Sequence, residues 1–578
     1  MYSPLFENQD IESAFSCSPS KLWARTAPAG IREAYQAGHY DEGWELWAEC
    51  AGQIAASAPD LSLFLPGSAP LSAFSQAMFE KSNLSGETLD PQAVVYWLQK
   101  TSDSEAVLAN PLDLLVIAWN MPVLATLLPQ AAWWQILSHL LEIANQADSI
   151  NPTEHPVAWQ ALAGELPLAL SLLLPEVDQC QALTKSALTT LEKGLIALLD
   201  GQGLPYADHL DRLLSLVAVW TRSLQLLEHA EEESYAKSSR TQYEWAIRQT
   251  FRFTRELSAS RWSTMLEQAV RLGGDENDRS LASICLKGEK PDRRVALPEP
   301  AYESEWASAA MLRTDWSAKA SSLKVAYPAE KVSIELFAAR EWLIRGDWKF
   351  EVKLDGKTLD PIGPWEQVCW VSDKDVDYLE LEIPLDRGYS IQRTLLLARD
   401  DKFLYLADAV LGETSGKLEY RGELPLANGT KFEGAKESRD GYLSTSSRRA
   451  LVLPIALPEW RDLDGPGELT VKKKTNGLVL QQHINASRLV APLFIDLKPK
   501  RINRRFTWRR LTVVEALETV SRDVAAGYRV HVGNEQWLIY RSMTKPVNRS
   551  LLGHNLSSEM LVGRFDETGE VETLVEVE

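Results

Sequence analysis

The chain has 578 residues, 45% hydrophobic and 24% charged, and its 80 acidic against 60 basic side chains give a net charge of −20. That length calls for at least two buried cores, and the composition is that of an ordinary globular protein rather than a disordered or fibrous one. The negative balance excludes a general nucleic-acid binder, which needs a concentrated positive field, and an acidic sugar partner would need a locally basic cleft.

The opening MYSPLFENQDIESAF has neither a basic n-region nor an apolar h-region. No uninterrupted apolar run reaches bilayer-crossing length, so no membrane partner is expected. The expected location is cytoplasmic for the chain as it stands, and periplasmic or secreted if a native leader precedes it. Cys17, Cys50, Cys180, Cys285 and Cys369 are scattered without CxxC spacing and read as buried thiols rather than a disulfide framework.

Residues 1–100 mix short helical patterns with Ser/Pro/Gly breaks. From Pro111, helical apolar patterns recur at about 111–127, 131–147, 156–174, 178–199, 209–231, 236–257 and 260–271. Short connections predict that successive helices pack as neighbours in an array of hairpins, an open solenoid or a closed α/α toroid. The polar stretches GGDENDRS (273–280) and KGEKPDRR (287–294) read as the boundary, giving a helical domain over 1–290. Beyond it, alternating strand-length segments such as KVSIELFA, YLELEIPL and KFLYLADAVLG fill 300–578. So many strands predict a large β-sandwich, with room for a smaller terminal sheet. Of 20 tryptophans, the pair Trp133–Trp134 reads as packing, and others are candidates to stack on sugar faces.

Phosphate-loop, dinucleotide and HExxH motifs are absent, so no cofactor is expected. The eight histidines form no metal-ligand spacing. A structural metal using dispersed residues such as His531 or His554 stays open, with no located site.

Two stretches offer chemistry. In NPTEHPVAWQ (151–160), Thr153, Glu154 and His155 stand at a helix entrance with Pro156 in the first turn. Glu154, His155 and Gln160 either contact a polar substrate or serve as cap and surface. In LLDGQGLPYADHLDRLL (198–214), a Gly/Pro turn precedes Tyr206, Asp208 and His209. Tyr206 is a general-acid candidate for a leaving oxygen, or a packing residue beside an Asp208 helix cap. Arg222, farther along, either anchors a carboxylate or forms an ion pair. A third stretch, KPKRINRRFTWRR (498–510), places seven Lys/Arg beside Phe506 and Trp508. It reads as a loop of internal salt bridges, a glycan contact or a phosphate contact.

With these stretches in place, the chain resembles the heparinase II/III-like polysaccharide lyases. The resemblance implies an N-terminal α/α toroid, an incomplete barrel of helical hairpins, followed by a large antiparallel β-sandwich. TEHPVAWQALAGELPLALSLLLPE resembles the family's Asn-Asn-His segment, with His155 on the histidine and Thr153 and Glu154 replacing the asparagines. DGQGLPYADHLDRLL resembles the segment that carries its catalytic tyrosine. KVAYPAEKVSIEL resembles a third segment, with Pro328 at the histidine place and Glu330 for the usual aspartate.

The resemblance implies β-elimination on a uronate-containing polysaccharide. His155 would handle charge, Tyr206 would act as acid/base, and Arg222 or Arg345 would bind the carboxylate. Glu154, Gln160, His209 and Glu330 complete the candidate substrate contacts. The partner class is an acidic polysaccharide or oligosaccharide, and the alternative is a noncatalytic relative serving in glycan binding or assembly.

Overall fold

The computed structural model describes residues 21–59, 70–80, 91–232, 234–254, 260–290, 294–472 and 474–578. Cys17 and the opening segment lie outside these residues. The chain divides into two compact units, Met1–Lys287 with Asp292–Val295, and Gly288–Pro291 with Ala296–Glu578.

The first unit is helical among its described residues. Its core helices are predominantly apolar and buried on every side, as helices surrounded by protein must be. Every residue of Leu112–Trp119 is buried, and so is every residue from Leu213 to Leu227 in the helix Leu213–His229. Amphipathic helices such as Lys237–Phe253 bury one face and leave the other to solvent. Trp133 and Trp134 are fully buried and pack edge-on at 4.8 Å, within a cluster that includes Trp23 and Trp47. This pair is therefore core.

By length and composition, the 18 residues Pro156–Leu173 are apolar enough to cross a membrane, although Gln160, Glu165 and Ser171 interrupt the run. In the structure 94% of that window is buried inside the protein. Its character is that of a core helix, and it carries a single charged side chain, Glu165.

GGDENDRS is not the boundary. Residues Glu276–Lys287 form a further helix belonging to the first unit. Asp275 caps it reciprocally: its carboxylate accepts from the Asp278 amide at 2.9 Å, while its own amide donates to the Asp278 carboxylate at 3.0 Å. Arg248 clamps both carboxylates at 2.7 Å. A polar, glycine-led stretch is thus a helix start, its two aspartates held by one arginine.

The second unit is built from antiparallel sheets. Strands Tyr302–Ser304, Ala309–Arg313, Ser322–Ala326, Ser333–Ala338 and Glu341–Asp347 form a five-stranded meander in chain order. An eight-stranded sheet has Phe403–Leu411 paired between Leu489–Asp496 and Tyr389–Ala398 at its centre. A third sheet pairs Gly416–Pro425 with Gly477–Ala486 and Lys349–Leu354.

The strand period of two sorts side chains between layers. Along Phe403–Leu411, Leu404, Leu406 and Val410 enter one core, while Phe403, Tyr405, Ala407 and Ala409 enter another. The eight-stranded sheet is therefore a middle layer covered on both faces. Its second face packs on a C-terminal five-stranded sheet, Phe506–Leu511, Ala525–Val532, Glu535–Ser542, Met560–Phe565 and Val571–Val577. That sheet meets a small four-stranded one through a third core around Tyr540 and Leu551. The expected sandwich is present, extended by two further sheets.

Candidate active site in the helical unit

The 151–155 turn is shaped by its own polar groups. The Asn151 side chain accepts from the Thr153 amide at 3.0 Å, and the His155 amide donates to the Asn151 carbonyl at 2.9 Å. Pro156 then opens the helix, where its missing amide hydrogen costs nothing. His155 is the cap by position only, since its imidazole makes no capping bond. The ring is half-buried; Thr153 and Glu154 are exposed.

Five residues later the helix widens into a π turn, Gln160–Glu165. Residues five apart lie about 140° apart around an α-helix, but a π turn brings them toward one side. Gln160 and Glu165 both reach the buried helix Leu213–His229. The Gln160 carbonyl accepts from the Trp220 indole at 2.8 Å, and its amide donates to the Thr190 carbonyl at 3.0 Å. Gly194 leaves room for this: a Cβ there would fall 2.2 Å from the Gln160 amide carbon. Arg222 donates to both Glu165 oxygens at 2.6 and 2.7 Å, with both side chains at most 1% exposed. Burial pushes the Glu165 carboxyl above its ordinary value, and the Arg222 charge and hydrogen bonds pull it back.

These contacts correct two expectations. Gln160 and Arg222 are enclosed packing elements with their polar atoms engaged, so neither presents a group to a substrate. The residue that the sequence reading missed is Glu165.

The second turn is equally built. The Asp200 carboxylate accepts from the amides of Gln202 and Leu204 at 2.7 and 2.9 Å. Gly203 sits at φ +85°, and a Cβ would meet the Ala246 backbone nitrogen at 2.4 Å, so glycine is required on both counts. The Gln249 amide bonds the Gln202 carbonyl at 3.0 Å and pins the turn to Lys237–Phe253. The turn delivers Tyr206 just before the 3₁₀ segment Ala207–Arg212. Tyr206 is 36% exposed, and no described residue bonds its hydroxyl.

One contact joins the two turns. His209 Nε2 donates to the Thr153 carbonyl at 2.7 Å, while its Nδ1 is buried without a partner among the described residues. His155 and Tyr206 each stand within three residues of that bond, which assembles an edge bearing Glu154, His155, Tyr206, Asp208 and His209. Asp208 is exposed rather than a side-chain helix cap.

The remaining candidates lie in the second unit. Glu330 is exposed, and its backbone carbonyl accepts from the Trp365 indole at 3.2 Å. Arg345 is paired with Glu335 at 3.1 Å and lies over the Trp342 ring. Tyr327, beside Pro328, is buried and donates to Glu303 at 3.2 Å. Burial and then the Glu303 charge raise its phenol well above the ordinary value, so it stays protonated. Among the described residues, no group of three or more His, Cys, Asp or Glu side chains is placed to hold a metal ion. The four described cysteines, Cys50, Cys180, Cys285 and Cys369, form no disulfide.

No protein-family model matches the chain, and no curated protein sequence matches it. Solved structures do. Heparan sulfate lyase HepC from Pedobacter heparinus superposes with a TM-score of 0.55 at 12% identity, covering 92% of this chain and 99% of that one. Heparinase III, the BT4657 gene product, gives 0.58 at 11% identity over 93% and 99%. A further heparinase III gives 0.59 at 10% identity over 94% and 100%. The chain therefore has the fold of the heparinase III-type lyases, a helical toroid followed by antiparallel sheets.

Proposed function

We propose that this protein acts on an acidic, uronate-containing polysaccharide at the edge of the helical unit, cleaving it by β-elimination. The observation that carries the reading is the His209–Thr153 bond, which holds the His155 and Tyr206 turns together. The shared fold with a heparan sulfate lyase and heparinase III supports the substrate class.

Elimination breaks the C–H bond beside the uronate carboxylate and the glycosidic C–O bond, and forms a C=C bond. The abstracted proton goes to a base, the departing oxygen takes one from an acid, and no water is added. Tyr206 is the acid/base, because its hydroxyl is exposed and uncommitted to any described residue. Charge on the enolate-like intermediate must be neutralised. Since Arg222 is closed off by Glu165, that task falls to His155.

A second reading, a glycan-binding protein without turnover, draws on the same enclosure of Gln160 and Arg222. Incubation with a panel of uronate-containing polysaccharides separates the two. New ultraviolet absorbance from an unsaturated product supports elimination. Saturable binding with no product overturns the lyase and favours the binder.

A further inference from the structure

A cleft of about 510 Å³ lies within the second unit, between the loop 456–466 and the strand Phe506–Leu511 with neighbouring Arg522. Its walls are fixed. Arg439, 6% exposed, donates to the carbonyls of Pro458, Trp460 and Leu463, so one guanidinium stitches the loop from beneath. The Trp508 indole bonds the Leu457 carbonyl at 2.8 Å, and the Thr507 hydroxyl bonds the Glu459 carboxylate at 2.6 Å. On this anchored loop Trp460 is nonetheless 48% exposed. The anchored backbone thus keeps in water an indole whose burial would be favourable.

Opposite stand Arg509, Arg510 and Arg522, all exposed and without a carboxylate partner among the described residues. In a chain of net charge −20, a cleft lined by three guanidiniums against two carboxylates is a local positive excess. Partial desolvation and then the adjacent Arg510 charge hold Arg522 below its ordinary value. The basic interval 498–510 therefore splits. Lys498 and Arg501 are neutralised by Glu535 and Asp496, whereas Arg509 and Arg510 line the cleft.

We propose that this cleft is a second, noncatalytic binding site for an anionic sugar residue. The guanidiniums take its sulfate or carboxylate, and Trp460 stacks on the apolar face of its ring. Glu459 and Asp464 also line the cleft and accept from sugar hydroxyls. A phosphodiester backbone offers no comparable set of hydroxyl donors to those carboxylates. The site is independent of turnover at Tyr206, although its saccharide class agrees with that reading.

The test is calorimetric titration of the full chain with a size-defined heparan sulfate oligosaccharide, its desulfated counterpart, a neutral oligosaccharide and a single-stranded DNA. Arg510→Ala with Arg522→Ala should weaken glycan binding at least tenfold and flatten its salt dependence. Trp460→Ala should weaken it, and Trp460→Phe should largely restore it. Retained affinity on desulfation assigns the carboxylate as the ligand group, and its loss assigns the sulfate. Unchanged glycan binding in both the arginine and tryptophan variants overturns the proposal, as does DNA binding as tight as glycan binding. If a variant misfolds, hydrogen exchange on the unmodified protein decides, since absence of glycan-induced protection at 456–466 also overturns it. Loss of binding here without any product in the absorbance assay would refute the lyase reading and leave this site standing.

Discussion

Replacing Arg222 by Met removes one partner of an ion pair closed to solvent and leaves Glu165 stranded in an apolar helix core. Two charge-assisted bonds at 2.6 and 2.7 Å are lost. At about 1.5–3 kcal/mol each, and in line with measured losses from broken buried pairs, the cost should be about 3–5 kcal/mol. For a helical unit of this size that is a midpoint decrease of roughly 6–20 °C. Removing both charges, Arg222→Met with Glu165→Leu, should recover most of it, because the stranded charge disappears along with the pair. The assay is scanning calorimetry of the full chain, with hydrogen exchange across 156–229 assigning the transition to this unit, since two units need not melt as one. If Arg222→Met stays within about 1 kcal/mol of the unmodified protein while sharply weakening glycan binding, then Arg222 serves the ligand and the packing argument is refuted.

Tyr206→Phe should cut any lyase turnover by about 10²–10⁴-fold and leave the melting midpoint nearly unchanged, given its exposure and unbonded hydroxyl; undiminished turnover rules out its acid/base role. His209→Ala deletes the 2.7 Å bond between the turns. It should cost about 1 kcal/mol and weaken polysaccharide binding as well, whereas loss of stability alone would leave His209 a purely structural tie. Gly203→Ala forces a side chain into a left-handed backbone against Ala246. A loss of at least about 1–3 kcal/mol is expected in urea unfolding, and a neutral result would show that the turn relaxes.

Periodicity made the two halves legible, because helices at 3.6 and strands at 2 leave distinct apolar rhythms. The layering beyond a simple sandwich was not, because the same alternation appears whether a sheet is covered on one face or both. The near-continuous apolar run in Leu489–Asp496 was the available hint. GGDENDRS misled because glycine and charge mark linkers and helix starts alike, and only Arg248, some thirty residues away, distinguishes them.

The candidate site divided in the same way. Turn residues on local signals, His155 and Tyr206, lie at one edge, while Gln160 and Arg222 were judged by chemistry without burial. A signal for their enclosure did exist: Glu165 is the sole charge in Pro156–Leu173, and Arg222 the sole charge in Leu213–Leu227. Lone opposite charges in two otherwise apolar helices point at each other. No comparable signal foretold the carbonyl bond from His209 to Thr153, since any residue supplies a carbonyl.

The widened turn at Gln160–Glu165 sets the phase of everything before it. Were this turn to lapse into regular helix with all its residues kept, the upstream end would swing by about 100°. The enclosed ion pair could be kept only by misdirecting the entrance turn, so that Thr153 would no longer face His209. One surplus residue deep in the interior thus acts as a timing gear, coupling charge balance at the centre to the aim of a loop at the rim.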